Sequence, residues 1–135
     1  TFIGDEARVA LLSFSTLGSA KALSPGKVRR AYGILKTEKR NFEFTGEIQA
    51  DAALVPEIAV KKTSGEWPGN ANVLVFPDLN SGNIGYKLVE RLAGASAIGP
   101  VLQGLAKPGN DLSRGCSEFD IINVAVFTAA QMRRK

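Results

Sequence analysis

The 135 residues have a mass of 14.3 kDa and carry 17 Lys and Arg against 13 Asp and Glu, a formal charge of +4. Length and a 44% hydrophobic share fit one compact domain or a piece of something larger, and exclude disordered and collagen-like chains. The absence of His excludes a His-based triad, a His metal ligand and an imidazole base, and a single Cys excludes an internal disulfide and multi-Cys zinc sites.

Chemistry must therefore come from Asp and Glu, Ser, Lys and Arg, Tyr, backbone amides and one thiol. A lone Cys suits a reducing, cytoplasmic setting. The basic residues lie in short groups (Lys27, Arg29 and Arg30; Lys61 and Lys62; Arg133, Arg134 and Lys135) with acids between them and no interleaved aromatics. That pattern argues against nucleic-acid binding, while a modest basic excess fits substrates that carry phosphate. No apolar run approaches the ~20 residues needed to cross a bilayer, and no secretory signal pattern opens the chain. The start at Thr1-Phe2-Ile3, without an initiator Met, suggests a fragment or a processed product.

In chain order, Val9 to Phe14 is a continuous run of small and apolar residues, the pattern of a strand covered on both faces, and it ends in a Ser- and Thr-rich loop. A basic helix is expected over 27–39, after Pro25-Gly26. Phe42 to Ile48 alternates as a strand does, and the Ala-rich stretch 51–62 reads as one helix. Residues 64–70, with Gly65, Pro68 and Gly69, read as a turn-rich connection. Asn72 to Phe76 is a second buried strand. A Ser81-Gly82-Asn83 turn leads into a helix over 84–92. Residues 97–102 read as a short strand broken by Pro100, and Ser117 caps a last helix that runs to about Met132. Strands alternating with helices give an α/β fold class.

The segment richest in chemistry is Lys107-Pro108-Gly109-Asn110-Asp111-Leu112-Ser113-Arg114-Gly115-Cys116-Ser117, leading to Asp120. A Gly- and Pro-shaped loop that opens a helix presents unpaired N–H groups and partial positive charge, a natural site for anions. Arg114 adds a planar, permanently charged fork suited to phosphate or a developing oxyanion, and Ser113 offers a hydroxyl beside it. Asp120 is placed to act as a base, but Ser117-x-x-Asp120 is equally a capping-box variant. Cys116, beside a helix start, could be a nucleophile or simply a small half-buried thiol. Asn110-Asp111 could be turn formers. A second loop, 77–87, joins a strand's carboxyl end to a helix, the usual ligand position in open α/β sheets, and brings Asn83, Tyr86 and Lys87. It matches neither the dinucleotide nor the P-loop glycine pattern.

These phrases, together with Leu11-Leu12-Ser13-Phe14-Ser15-Thr16 and Gly46-Glu47-Ile48-Gln49-Ala50-Asp51-Ala52-Ala53, closely resemble the C-terminal part of bacterial and archaeal phosphate acetyltransferases, over nearly the whole chain. The resemblance implies a fragment of a two-domain, three-layer α/β enzyme of the isocitrate/isopropylmalate dehydrogenase-like fold. Residues 1–102 would be the later part of the second domain, and 103–135 a return into the first. It also implies reversible acetyl transfer between acetyl phosphate and coenzyme A, releasing phosphate, by direct thiolate attack in a ternary complex. Neither a metal nor a tightly bound cofactor is implied; coenzyme A is a substrate. Asp120 would be the general base, Arg114 would hold phosphate and developing charge, and Ser113 would hydrogen-bond the transition state. Cys116 would lie near the site without a covalent role. Tyr86, Lys87, Lys107 and Asn110 are candidates for substrate contact. Gly109 departs from the Val common in the family. A homodimer is expected, and the 135 residues alone are expected to be inactive. Phosphate butyryltransferase and a non-catalytic regulatory domain are the alternatives.

Overall fold

The computed structural model describes residues 5–132, so the first residues and the basic group Arg133, Arg134 and Lys135 lie outside the described residues. Three parallel strands, β1 (Arg8–Leu12), β2 (Glu43–Ile48) and β3 (Val73–Val75), form one sheet in the order β2-β1-β3. Five helices accompany them: α1 (Leu23–Thr37), α2 (Ala50–Leu54), α3 (Pro56–Thr63), α4 (Leu79–Ala93) and α5 (Glu118–Met132). The chain is thus α/β. Its described residues fall into two compact units, one ending at Ile84 and one starting at Gly85.

In the first unit β1 is the central strand, and its run from Ala10 to Leu12 is fully buried, as expected of a strand with neighbours on both edges. Ala10, Leu12, Ile48, Ala52, Ala53, Ala59 and Trp67 form the core, with Ile58, Ala71 and Leu74 packed against it. The segment 64–70, read from sequence as a connection only, contributes the largest of these side chains. Trp67 is buried, its indole donates to the Ala53 carbonyl at 3.2 Å, and its backbone N–H donates to Thr63 Oγ1. Gly69 lets this segment close: at φ +74°, an added Cβ would sit 2.7 Å from the backbone of Val55 and Pro56.

Four element boundaries differ from the sequence expectation, each for a local reason. Helix α1 starts at Leu23 rather than at 27, because Pro25 lies in the first turn, where its missing N–H has no intrahelical partner to lose. The stretch 51–62 is two helices, because Pro56 forces Val55 into an extended conformation, with ψ at 112°. Ser81-Gly82-Asn83 is inside α4 rather than before it. Asp78 starts the helix by accepting the Ser81 N–H at 2.8 Å. Residues 97–102 form no strand. Gly99-Pro100 cannot sustain a ladder, and Val101 makes only an isolated antiparallel bridge with Asn110.

The sheet order creates a switch point beside the central strand. The chain leaves β1 for β2 on one side, and β3 lies on the other, so the carboxyl ends of β1 and β3 flank a topological switch point. The 13–22 loop follows β1 and the Pro77-Asp78 turn follows β3, and Lys27 on α1 ties that helix to the turn, its Nζ donating to the Pro77 carbonyl at 2.7 Å.

Candidate functional site

The second unit holds the loop that the sequence marks as chemical. Asn110 anchors it. Its amide donates to Thr128 Oγ1 at 2.7 Å and to Gln131 Oε1 at 2.8 Å on α5, and its carbonyl accepts the Leu102 N–H at 3.0 Å. Both side-chain N–H groups are engaged within the second unit, so this side chain shapes the loop. Past Asn110 the loop turns at Ser113, whose Oγ accepts the Gly115 N–H and whose carbonyl accepts the Cys116 N–H. Arg114 is exposed and makes no ion pair or hydrogen bond among the described residues. Its fork is free to meet an anion. Lys107 is also exposed, and Cys116 is a half-buried free thiol.

Asp120 lies one turn into α5 and is bonded reciprocally with Ser117. Its Oδ2 accepts both the Ser117 N–H and the Ser117 hydroxyl at 2.8 Å, while its own N–H donates to Ser117 Oγ at 3.2 Å. This is a complete capping box with Asp in the third position. Because the backbone and hydroxyl donors of Ser117 favour the charged form, with Arg91 adding attraction, the Asp120 carboxyl is held below its ordinary value. The capping reading and the position at the loop both hold. Oδ2 is spent on the cap and Oδ1 remains.

On α4, Tyr86 and Lys87 are exposed, with the ammonium 5.0 Å from the ring centroid. They share the second unit with the 107–120 loop. Among the described residues no group of three acidic or Cys side chains could hold a metal ion, and no helix is long and apolar enough to cross a membrane.

The first unit holds a polar cluster that the sequence reading passed over. Glu47, at the carboxyl end of β2, is 1% exposed. Its Oε1 accepts the Ser15 hydroxyl at 2.5 Å, the Arg29 guanidinium at 2.9 Å and the Gly18 N–H at 3.1 Å. Beside it Thr16 and Gln49 exchange two hydrogen bonds, and Lys62 bridges Gln49 to Asp51 at 2.9 and 2.7 Å. That ammonium holds the Asp51 carboxyl below its ordinary value. One signal could have found Glu47. A strand of a parallel sheet is covered on both faces, so an acid at its buried end has no solvent face to occupy.

A family model described as "Phosphate acetyl/butaryl transferase" matches residues 1–129. The chain belongs to this family. It is 56% identical over 130 residues to a phosphate acetyltransferase of Clostridium acetobutylicum, covering 96% of this chain and 39% of that protein. It is 54% identical to that of Bacillus subtilis, covering 93% and 39%. Among solved structures, a phosphotransacetylase from Streptococcus pyogenes superposes with a TM-score of 0.89 at 51% identity, over 97% of this chain and 40% of that one. The EutD phosphotransacetylase from Staphylococcus aureus gives 0.84 at 51% identity, over 97% and 41%. The chain spans about two-fifths of the length of the relatives it matches.

Proposed function

We propose that the chain is part of a phosphate acetyltransferase of the isocitrate/isopropylmalate dehydrogenase-like fold, in which 1–102 belongs to the second domain and 103–135 returns to the first. The observation that carries the reading is the unpaired Arg114 fork on the loop that runs into the N-terminus of α5. Phosphate of acetyl phosphate docks against this guanidinium, and Ser113 donates to the carbonyl oxygen as it gains charge. The coenzyme A sulfur attacks the carbonyl carbon while its proton passes to Asp120. The carbon–oxygen bond to phosphate then breaks, and phosphate leaves on Arg114.

Asp120 is a weak base, because its carboxyl sits below the ordinary range. Proton transfer from a thiol to it is uphill and has to run together with carbon–sulfur bond formation. Oδ1 takes the proton, since Oδ2 is held by Ser117. Lys107, Tyr86 and Lys87 are the proposed further substrate contacts, and Cys116 is a bystander thiol. Asn110 positions the loop rather than touching substrate. Acetyl is favoured over butyryl because the relatives described above are acetyltransferases. A homodimer in a reducing, cytoplasmic compartment completes the proposal.

The test is thioester formation from acetyl phosphate and coenzyme A by the full-length protein, with Asp120→Asn alongside. Turnover per folded molecule that falls supports the base, whatever the loss of the cap costs in melting temperature. A lowered melting temperature with wild-type turnover per folded molecule supports the cap alone and removes Asp120 from the mechanism. Faster thioester formation from butyryl phosphate than from acetyl phosphate would contradict the acetyl assignment.

A further inference from the structure

The loop after β1 is held by one residue in two ways. The Glu47 backbone carbonyl accepts the Leu17 N–H at 3.0 Å, and its carboxylate accepts the N–H of Gly18, the next residue. The same carboxylate oxygen fixes Ser15, whose hydroxyl in turn accepts the Ala20 N–H at 3.0 Å, while Ser19 Oγ accepts the N–H of Thr16 at 3.0 Å. Held in this way, Leu17 sits at φ 47° and Gly18 at φ 85°. A branched non-Gly residue in the left-handed region is strained, and such strain persists only where surrounding contacts over-determine it.

The arrangement is a poor device for stability alone. Three donors converge on Oε1, whereas Oε2 is buried and has no hydrogen-bond partner among the described residues. A buried charge with an unsatisfied oxygen is costly, and apolar packing often replaces a buried ion pair with no loss. What the carboxylate does provide is a single conformation for a loop that buries Ser15 and Thr16 but turns Phe14 and Leu17 to solvent, with Arg29 part exposed beside them. That loop lies at the carboxyl edge of β1, at the switch point where open α/β sheets take ligands.

We propose that Glu47 is a positioning residue, whose carboxylate, with Ser15 and Arg29, presets the 14–20 loop to hold substrate. The inference rests on the acyl-transfer reading above and concerns a substrate-bearing loop of the first unit taken by itself. Glu47 itself is too buried to touch substrate; it acts through the loop.

The test compares full-length wild type with Glu47→Gln, and with Ser15→Ala should the first variant fail to fold. Loop order is read by amide exchange at Gly18 and Ala20 against Ala10 and Leu11 of β1. Kinetics are read as separate KM and kcat values for acetyl phosphate and coenzyme A. The expected result is faster exchange in the loop but not in β1, with KM for at least one substrate raised about tenfold and kcat within about threefold. Faster loop exchange with both KM values unchanged would reduce Glu47 to a structural role and overturn the inference, as would unchanged exchange. Should the wild type form no thioester, the acyl-transfer reading fails on its own. Calorimetric titration of coenzyme A into the same proteins then decides about the loop, and a Kd that Glu47→Gln leaves unchanged overturns it.

Discussion

The two polar loops are built on opposite plans. The 107–117 loop is open: Ser113, Arg114 and Lys107 are exposed, and its order comes from neutral hydrogen bonds of Asn110 and from the Ser117–Asp120 cap. The 13–20 loop is clamped from beneath by a buried carboxylate that gathers a hydroxyl, a guanidinium and a backbone amide. The first keeps its charged group free to meet a reacting anion. The second spends its charges on holding a shape. A substitution of an exposed functional group of the open loop, such as Arg114, should therefore cost activity and leave stability alone, and one near the clamp should cost stability or substrate affinity.

The largest expected effect is at Arg114. Arg114→Ala in the full-length protein should lower kcat/KM by about 10²–10³ with no change in melting temperature, since in the proposed mechanism the side chain stabilises developing charge, and it makes no ion pair or hydrogen bond among the described residues. Steady-state kinetics paired with thermal denaturation check both halves, and unimpaired activity would break the contrast.

The next effect is at the clamp. Gly46→Ala places a Cβ 2.8 Å from that of Leu11, so β2 must move away from β1 and carry Glu47 with it. The expected loss is about 1–3 kcal/mol in denaturant unfolding. A variant as stable as wild type would show that the strand pair has slack the packing does not suggest.

A smaller effect follows from the carboxylates. Asp51, Asp78 and Asp120 are each held below their ordinary value of 3.8 by hydrogen bonds to the charged form. A depressed folded-state value contributes stability above the unfolded-state value and loses it as pH falls through the folded-state one. Stability should be insensitive to these groups from about pH 7 to about pH 5 and should decline once the pH drops below 3.8. Asp120→Asn should flatten part of that acid limb in urea titrations. An unchanged limb would show that the cap does not form in solution.

The smallest effect is at Cys116. Cys116→Ala should keep most of the activity and stability, because the thiol is half-buried and has no basic partner of the His type. Loss of activity in that variant would move the nucleophile from substrate to protein.

The open loop was legible in the sequence because its signals are local: turn formers, a cap three residues from its partner, and an arginine between glycine and serine. The β-α alternation was legible for the same reason, from runs such as Val9 to Phe14. What escaped depends on the tertiary fold. Trp67 looked like part of a turn until the segment folded back over Ala53 and Ala59. Glu47 looked like the polar half of an alternating strand, and only a sheet covered on both faces turns it into a buried clamp for residues about thirty positions earlier in the chain. Pro25 and Pro56 show the limits of local rules in another way. One is absorbed in a first helical turn and the other splits a helix, and the difference lies in where each helix begins.

The central claim, direct transfer at an open Arg114 loop, is tested most directly by rapid-quench measurement on the full-length protein with acetyl phosphate, before and after coenzyme A is added. The account predicts that phosphate and the thioester appear together, in equal amounts, and only when both substrates are present. A burst of phosphate in the absence of coenzyme A, with acetyl trapped on the protein, would contradict it.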